Sequence, residues 1–289
     1  MRRYRILLAL LITFIFFEKS SFPSDIIYVS NVFGSWELFK IDPLGNKSVR
    51  LTENSIEEKH PSWAKDEKRV VFATNLGDIR ILNLDTGKIE EVFTLSKRAD
   101  QPCFHPEGDK LSYVGYSFKE GETSDIFMAY LKRKKDRVKG IITTRFMETF
   151  PAWSPDGLKL IYSLFYRRGL NVVEDLWIHD FRSDSGFLIL KNGFQNIQAD
   201  FSPDGSMIVF ASNMSGNFDI WIMALNRGFL KRLTYYPGYD GDPCFSPDGK
   251  RVAFVSSRSG RRHIWIMDLD GSDKMELTKG MYECRDPDW

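Results

Sequence analysis

Phe201-Ser202-Pro203-Asp204-Gly205 is the middle of three closely matched pentapeptides. Trp153-Ser154-Pro155-Asp156-Gly157 precedes it and Phe245-Ser246-Pro247-Asp248-Gly249 follows. Pro presets φ near about −65° at the second turn position, Asp suits the third, and Gly accepts positive φ, so each is a tight turn after an aromatic strand end. Aligning on the ring adds two worn copies, Trp63-Ala64-Lys65-Asp66 and Phe104-His105-Pro106-Glu107-Gly108, and a last ring at Trp289 in Asp286-Pro287-Asp288-Trp289. The ring-to-ring spacings are 41, 49, 48, 44 and 44 residues, a period that marks a repeat architecture.

Each unit repeats the same order. An alternating run such as Met207–Ala211 or Arg251–Val255 follows the turn. A polar Gly-containing loop comes next, then Ile220-Trp221-Ile222-Met223 or Ile264-Trp265-Ile266-Met267, and a short segment ending Leu233-Thr234 or Leu277-Thr278. Period-two alternation bounded by turn residues predicts strands and no helix. Four strands in roughly 44 residues is the content of one propeller blade. Trp289 opens a unit with no remainder, while Ile26–Asn31, Glu37–Asp42 and Leu51-Thr52 match Ile208–Thr234 without an opening strand. The expectation is therefore an all-β fold, a six-bladed β-propeller of four-stranded antiparallel blades. It forms a single domain over 25–289, closed by the N-terminal strands pairing with the C-terminal strand, which removes exposed sheet edges.

Ahead of this domain, Arg2, Arg3 and Arg5 precede an apolar run from Ile6 to Phe17 broken only by Thr13. Basic residues before about a dozen apolar ones predict a secretory signal peptide over 1–24, too short for a spanning helix. An uncleaved anchor is the alternative. Across the whole chain 40 basic face 39 acidic side chains. Without residues 1–24 the balance is 36 to 38, which argues against a nucleic-acid partner. Export permits disulfides, and a Cys244–Cys284 bond is conceivable, but three cysteines make no framework, and buried thiols acting as small hydrophobes are the simpler reading.

The unit Pro-x-Trp/Phe-Ser-Pro-Asp-Gly, hydrophobic strand, Ile-Trp-x-Met, Leu-Thr resembles the WD40-like propeller repeat of the TolB family over residues 25–289. The resemblance implies an exported, periplasmic, monomeric propeller in the bacterial cell envelope. It also implies a non-catalytic role, docking an envelope protein such as a peptidoglycan-associated lipoprotein at the channel mouth. TolB carries an α/β domain ahead of its propeller, whereas here Phe22–Ser24 alone separate the signal from the first strand. Roles belonging to that domain, contact with inner-membrane Tol partners among them, are therefore not part of what the resemblance implies here.

Function on a propeller is expected where the repeat is broken, on loops entering the innermost strands. The residues before each aligned Pro are Lys59-His60, Asp100-Gln101, Thr149-Phe150, Ile197-Gln198, Gly241-Asp242 and Arg285-Asp286, with Ala199 in place of Pro in the fourth unit. From these we take Lys59, His60, Asp100, Gln101, Gln198, Asp242, Arg285 and Asp286 as partner-binding candidates. Tyr235, Tyr236, Tyr239 and Asp240 in an adjoining loop complete the set, since tyrosine suits protein interfaces. Asp156, Asp204 and Asp248 read as turn residues, and Trp177, Trp221, Trp265, Phe39 and Phe127 as packing between blades. Lys132-Arg133-Lys134-Lys135-Asp136-Arg137-Val138-Lys139 is a basic outer turn, either a solvated tip or a contact for an anionic lipid or polysaccharide surface. Phe165–Asp175 reads as a lengthened loop.

The alternative function is an enzyme acting on a glycan or peptide at the channel mouth. No Gly-x-Ser-x-Gly elbow and no Walker-type loop occur. His60, His105, His179 and His263 fall on different kinds of segment, which speaks against a shared metal. Asp268–Asp273 hints at calcium but lacks the rest of an EF-hand. No catalytic residue, metal or cofactor is assigned.

Overall fold

The computed structural model describes residues 25–117, 123–226 and 228–289, so the signal segment over 1–24 lies outside the described residues. Among the described residues twenty-four strands run in repeating groups. β1 (Ile26–Ser30), β2 (Glu37–Ile41) and β3 (Ser48–Arg50) come first. β4 (Glu58–Trp63), β5 (Arg69–Thr74), β6 (Ile79–Asn83) and β7 (Ile89–Val92) follow. Next are β8 (Ala99–Phe104), β9 (Lys110–Ser117), β10 (Thr123–Tyr130) and β11 (Val138–Ile142). Then come β12 (Met147–Trp153), β13 (Lys159–Arg168), β14 (Asn171–Asp180) and β15 (Ser185–Leu190). β16 (Asn196–Phe201), β17 (Met207–Ser212), β18 (Asp219–Ala224) and β19 (Leu230–Arg232) form the next group. β20 (Asp240–Phe245), β21 (Arg251–Ser256), β22 (His263–Asp268), β23 (Met275–Glu276) and β24 (Cys284–Asp288) end the chain.

Hydrogen bonding corrects the expectation of six separate four-stranded antiparallel blades. Four such blades are found: β4–β7, β16–β19, β20–β23, and a sheet ordered β24-β1-β2-β3. The remaining eight strands are one continuous sheet, in which Ser124 of β10 pairs parallel with Met147 of β12. The physical reason is a seam present between other groups too. At those, one backbone bond ties an inner strand to the group before it: Glu58 N to Trp36 O at 2.8 Å, Ala99 N to Gly77 O at 2.8 Å, Cys284 N to Arg262 O at 2.8 Å. At the β10–β12 seam the contact is extended into a parallel bridge, and the Ser124 hydroxyl donates to Glu148 O at 2.8 Å. In the β24-β1-β2-β3 sheet the two chain ends meet, with Val29 opposite Arg285 and Ser30 opposite Cys284.

A second correction concerns Phe165–Asp175. It is no loop: β13 and β14 pair residue for residue from Lys159↔Asp180 to Arg168↔Asn171, turning at Gly169 and Leu170.

The innermost strands touch in the cyclic order β4, β8, β12, β16, β20, β24 and back to β4. Apolar side chains that alternate along each strand fill the wedges between neighbouring groups. Ile26, Tyr28, Phe39 and Ile41 pack on Ala253, Val255, Ile264 and Ile266, and Ile27, Val29 and Leu38 pack on Val70 and Phe72. Trp177, Trp221 and Trp265 lie half-buried at the edges of such clusters.

The turns explain the recurring tetrapeptide. Ser154 Oγ donates to Asp156 Oδ1 at 2.6 Å and accepts from Lys159 N at 2.9 Å. Ser202 and Ser246 repeat both contacts. Gly157, Gly205 and Gly249 sit at φ 69°, 70° and 69°. These turns define one face of the ring, and the starts of the inner strands define the other. Among the described residues no helix is long and apolar enough to cross a membrane.

Candidate functional site: the channel mouth

Every inner strand carries the same irregularity near its start. The pairing with its neighbour slips by a bulge, between Lys59 and Ser62 in β4 and between Gly241 and Cys244 in β20, for example. At the bulge His60, Gln101, Phe150, Gln198, Asp242 and Asp286 all take positive φ, between 48° and 56°. None is glycine, and each precedes Pro or, in Gln198, Ala199. A left-handed residue of this kind costs about 1–2 kcal/mol. The bulges re-aim these side chains onto the channel wall, where all six line a cavity of about 160 Å³.

The mouth residues hold one another. Gln101 Oε1 accepts from Phe150 N at 2.7 Å, Gln198 Oε1 from Asp242 N at 3.1 Å, and Asp286 Oδ2 from His60 N at 3.0 Å. Gln198 Nε2 also donates to Asp242 Oδ1. Each bond crosses from one inner strand to the next, so the mouth is a stitched rim. Asp100 meets Lys59 Nζ at 2.5 Å and His60 Nδ1 at 2.8 Å. Burial opposes ionisation of Asp100, but His60 and Lys59 hold its carboxyl well below the usual range. Burial likewise disfavours the charged His60, yet Asp286 and Asp100 outweigh it and raise its pKa. Asp242 moves the other way: burial, then the facing Asp286 charge, push it up to about 7.

Of the remaining sequence candidates, Arg285, 3.9 Å from Asp286, and Tyr239, beside Gln198 and Asp242, border the mouth, and the others lie apart from it. The Arg285 guanidinium stacks on Trp36 at 3.8 Å. Tyr239 packs under Arg262 at 4.5 Å, its hydroxyl pKa raised by burial and by Asp242. Tyr236 reaches Ser257 O at 3.5 Å, and Tyr235 is exposed beside Arg232. Asp240 is fully buried and bound by Arg258 at 2.9 Å within its own blade.

Sequence reasoning missed a deeper tier. One residue past the aligned Pro stand Ser62, Cys103, Ala152, Asp200, Cys244 and Asp288, all lining the same cavity. Ser62, Asp200 and Asp288 also line a second cavity of about 200 Å³ opening on the turn face among Trp63, Phe104, Phe201, Phe245 and Trp289. They form the waist between the two openings. Asp200 Oδ2 accepts from Phe245 N at 2.9 Å and Asp288 Oδ2 from Trp63 N at 2.7 Å. Burial raises these carboxyls to about 7 and about 6. The signal available in the sequence was a constant offset from the repeat Pro.

The histidines lie apart: His60 at the mouth, His105 on Gly157 O at 3.0 Å, His179 near Asp184 at 3.2 Å, His263 on Thr278 at 3.2 Å. Among the described residues no group of three or more His, Cys, Asp or Glu is placed to hold a metal ion. The three cysteines are free thiols.

Fold and site together define a β-propeller whose channel has one polar, stitched mouth and one aromatic opening. Residues 151–289 match the family model of the TolB beta propeller domain. The Tol-Pal system protein TolB of Anaeromyxobacter dehalogenans (strain 2CP-1) is 37% identical over 106 residues. That stretch is 36% of this chain and 23% of the relative, so the match spans less than a quarter of the relative's length. The crystal structure of TolB from Acinetobacter baumannii has a TM-score of 0.79 at 24% identity, covering 93% of this chain and 67% of that one. A protein described as TolB from Agrobacterium tumefaciens gives 0.73 at 20%, covering 89% and 90%. At these identities the solved structures establish fold alone, and the same fold extends to enzymes, an oligogalacturonate lyase among them.

Proposed function

We propose that this chain is a non-catalytic docking module of the bacterial cell envelope, exported to the periplasm, that receives a protein partner at the channel mouth. One observation carries the reading: six residues in costly left-handed conformations, each with a different neighbour, converge on one rim. Side chains held this way lose little entropy on binding, which favours a preformed recognition surface. The TolB-type repeat supports a partner of the Tol-Pal kind, and a peptidoglycan-associated lipoprotein is the specific candidate.

The test is titration of the lipoprotein's soluble domain into the full chain by calorimetry. Binding weakened at least about tenfold by Asp242→Ala and by Gln198→Ala, with folding retained, supports docking at the rim. Wild-type binding by both variants moves the site elsewhere. One observation favours the enzymatic alternative, namely carboxyls near neutral pKa lining a cavity. Turnover of a glycan or peptide library that Asp200→Asn abolishes would replace docking with that reading.

A further inference from the structure

The β10–β11 turn carries Lys132, Arg133, Lys134, Lys135, Arg137 and, at the start of β11, Lys139 around one acid, Asp136. All six cations are exposed, and among the described residues none lies within ion-pair distance of a carboxylate. Other lysines on this face are spread singly: Lys68 pairs with Asp85 at 2.9 Å, Lys88 with Glu90 at 2.5 Å and the half-buried Lys110 with Glu107, while Lys47 and Lys250 are exposed one to a turn. Glu90 and Glu91 border the groove beside Lys132 and Arg137 without reaching them. The turn is built: Tyr130 N donates to Arg137 O at 2.7 Å, and Arg133 lies 3.5 Å over the Tyr130 ring.

Two further observations concern the same face. Tyr130 pairs with Lys110, which places the basic turn at the end of its group that carries the Pro-Glu-Gly turn, away from the mouth. Ile26 pairs with Ile41, and Asp25 meets Lys40 at 2.7 Å, so the chain joins the propeller from this face after the basic and apolar residues 1–24. The equivalent turns after β2 and β18 present exposed apolar residues, Leu44 and Phe229. The inner strands of these three groups, β8, β16 and β24, are every second one around the ring. One basic and two apolar tips thus stand as a tripod on the face opposite the mouth.

We propose that this face seats on a bilayer containing anionic lipid. The basic turn takes the phosphate headgroups, and Leu44 and Phe229 enter the headgroup–acyl boundary. The mouth then points away from the membrane. This inference does not depend on what docks there.

The test is co-sedimentation of the full chain with phosphatidylcholine vesicles, with and without phosphatidylglycerol. Binding that requires phosphatidylglycerol is expected. The triple variant Lys132→Glu, Lys134→Glu, Lys135→Glu should lose at least about a hundredfold, since each basic residue near such a surface is worth roughly fivefold. Leu44→Asp should lose about tenfold. An unchanged melting temperature confirms that each variant is folded. Equal binding of wild type and triple variant to neutral vesicles would assign the interaction to residues 1–24 and overturn the proposal. So would retention on dextran sulfate without vesicle binding, which would make the ligand a polysaccharide. Neither result touches the lipoprotein titration.

Discussion

Residues 151–289 and the chain before them build the same groups of strands with turns of different quality. In the later half all three turns are Ser-Pro-Asp-Gly, and the turns stack, Pro155 beside Gly205 and Pro203 beside Gly249. In the earlier half Glu67 stands at φ 56° where the later turns have glycine, and His105 replaces serine, its ring resting on Gly157. The family model matches the later half alone, yet strand pairing is equally regular in both. Turn chemistry marks the repeat, while alternating apolar strands and wedge packing hold it. The halves also differ at the channel. Asp200, Asp242, Asp286 and Asp288 come from the later half, His60 and Lys59 from the earlier.

The largest test of that division is removal of residues 280–289, which takes β24 from the sheet where the halves join. It exposes β1 and opens the cluster around Cys284. Loss of cooperative unfolding in calorimetry is expected, and an unchanged melting temperature would show that the halves are independent. Next is Gly157→Ala. A Cβ there would lie 2.5 Å from the His105 ring, whereas at Gly205 the nearest atom is 3.6 Å away. We expect a cost of about 2–3 kcal/mol at 157 and about 1 kcal/mol at 205 in denaturant titrations. Equal costs would mean that the worn turn does not lean on the intact one.

Asp200→Asn probes the acidic half. The carboxyl titrates near about 4 when unfolded and about 7 when folded, so the native state holds the proton and wild-type stability falls as pH rises between those values. The variant's advantage in melting temperature should grow from about pH 4 to about pH 7 and then level off. A pH-independent difference would mean that Asp200 is charged in the fold. The smallest effect is Glu67→Gly, which relieves a left-handed residue and should add about 1 kcal/mol. No gain would show that the worn turn is already relaxed.

Much of this was legible because rings, prolines and glycines at constant spacing are physical requirements of a strand–turn repeat. The eight-stranded sheet was not, since it depends on one added backbone contact at Ser124 that no residue type announces. The β13–β14 hairpin was misread because Arg167, Arg168 and Asn171 look like loop residues, although Val172 and Val173 continue the strand. At the rim, the places where the repeat varies bring His60, Gln101, Gln198, Asp242 and Asp286 to one cavity. The conformation was hidden, because Gln101, Phe150 and Gln198 are not residues that signal positive φ. The waist carboxylates Asp200 and Asp288 pass individually for surface acids and become visible only through their shared offset.

The sheet ordered β24-β1-β2-β3 has a consequence in time. Its first three strands precede the rest of the ring in the chain and must wait about 240 residues for the strand that completes them. Contacts of such sequence separation form slowly, because loop closure precedes any compensating burial. Until β24 arrives, the β1 edge is open to pairing with another chain. The interval between emergence and completion is therefore when this protein is most exposed to misassembly.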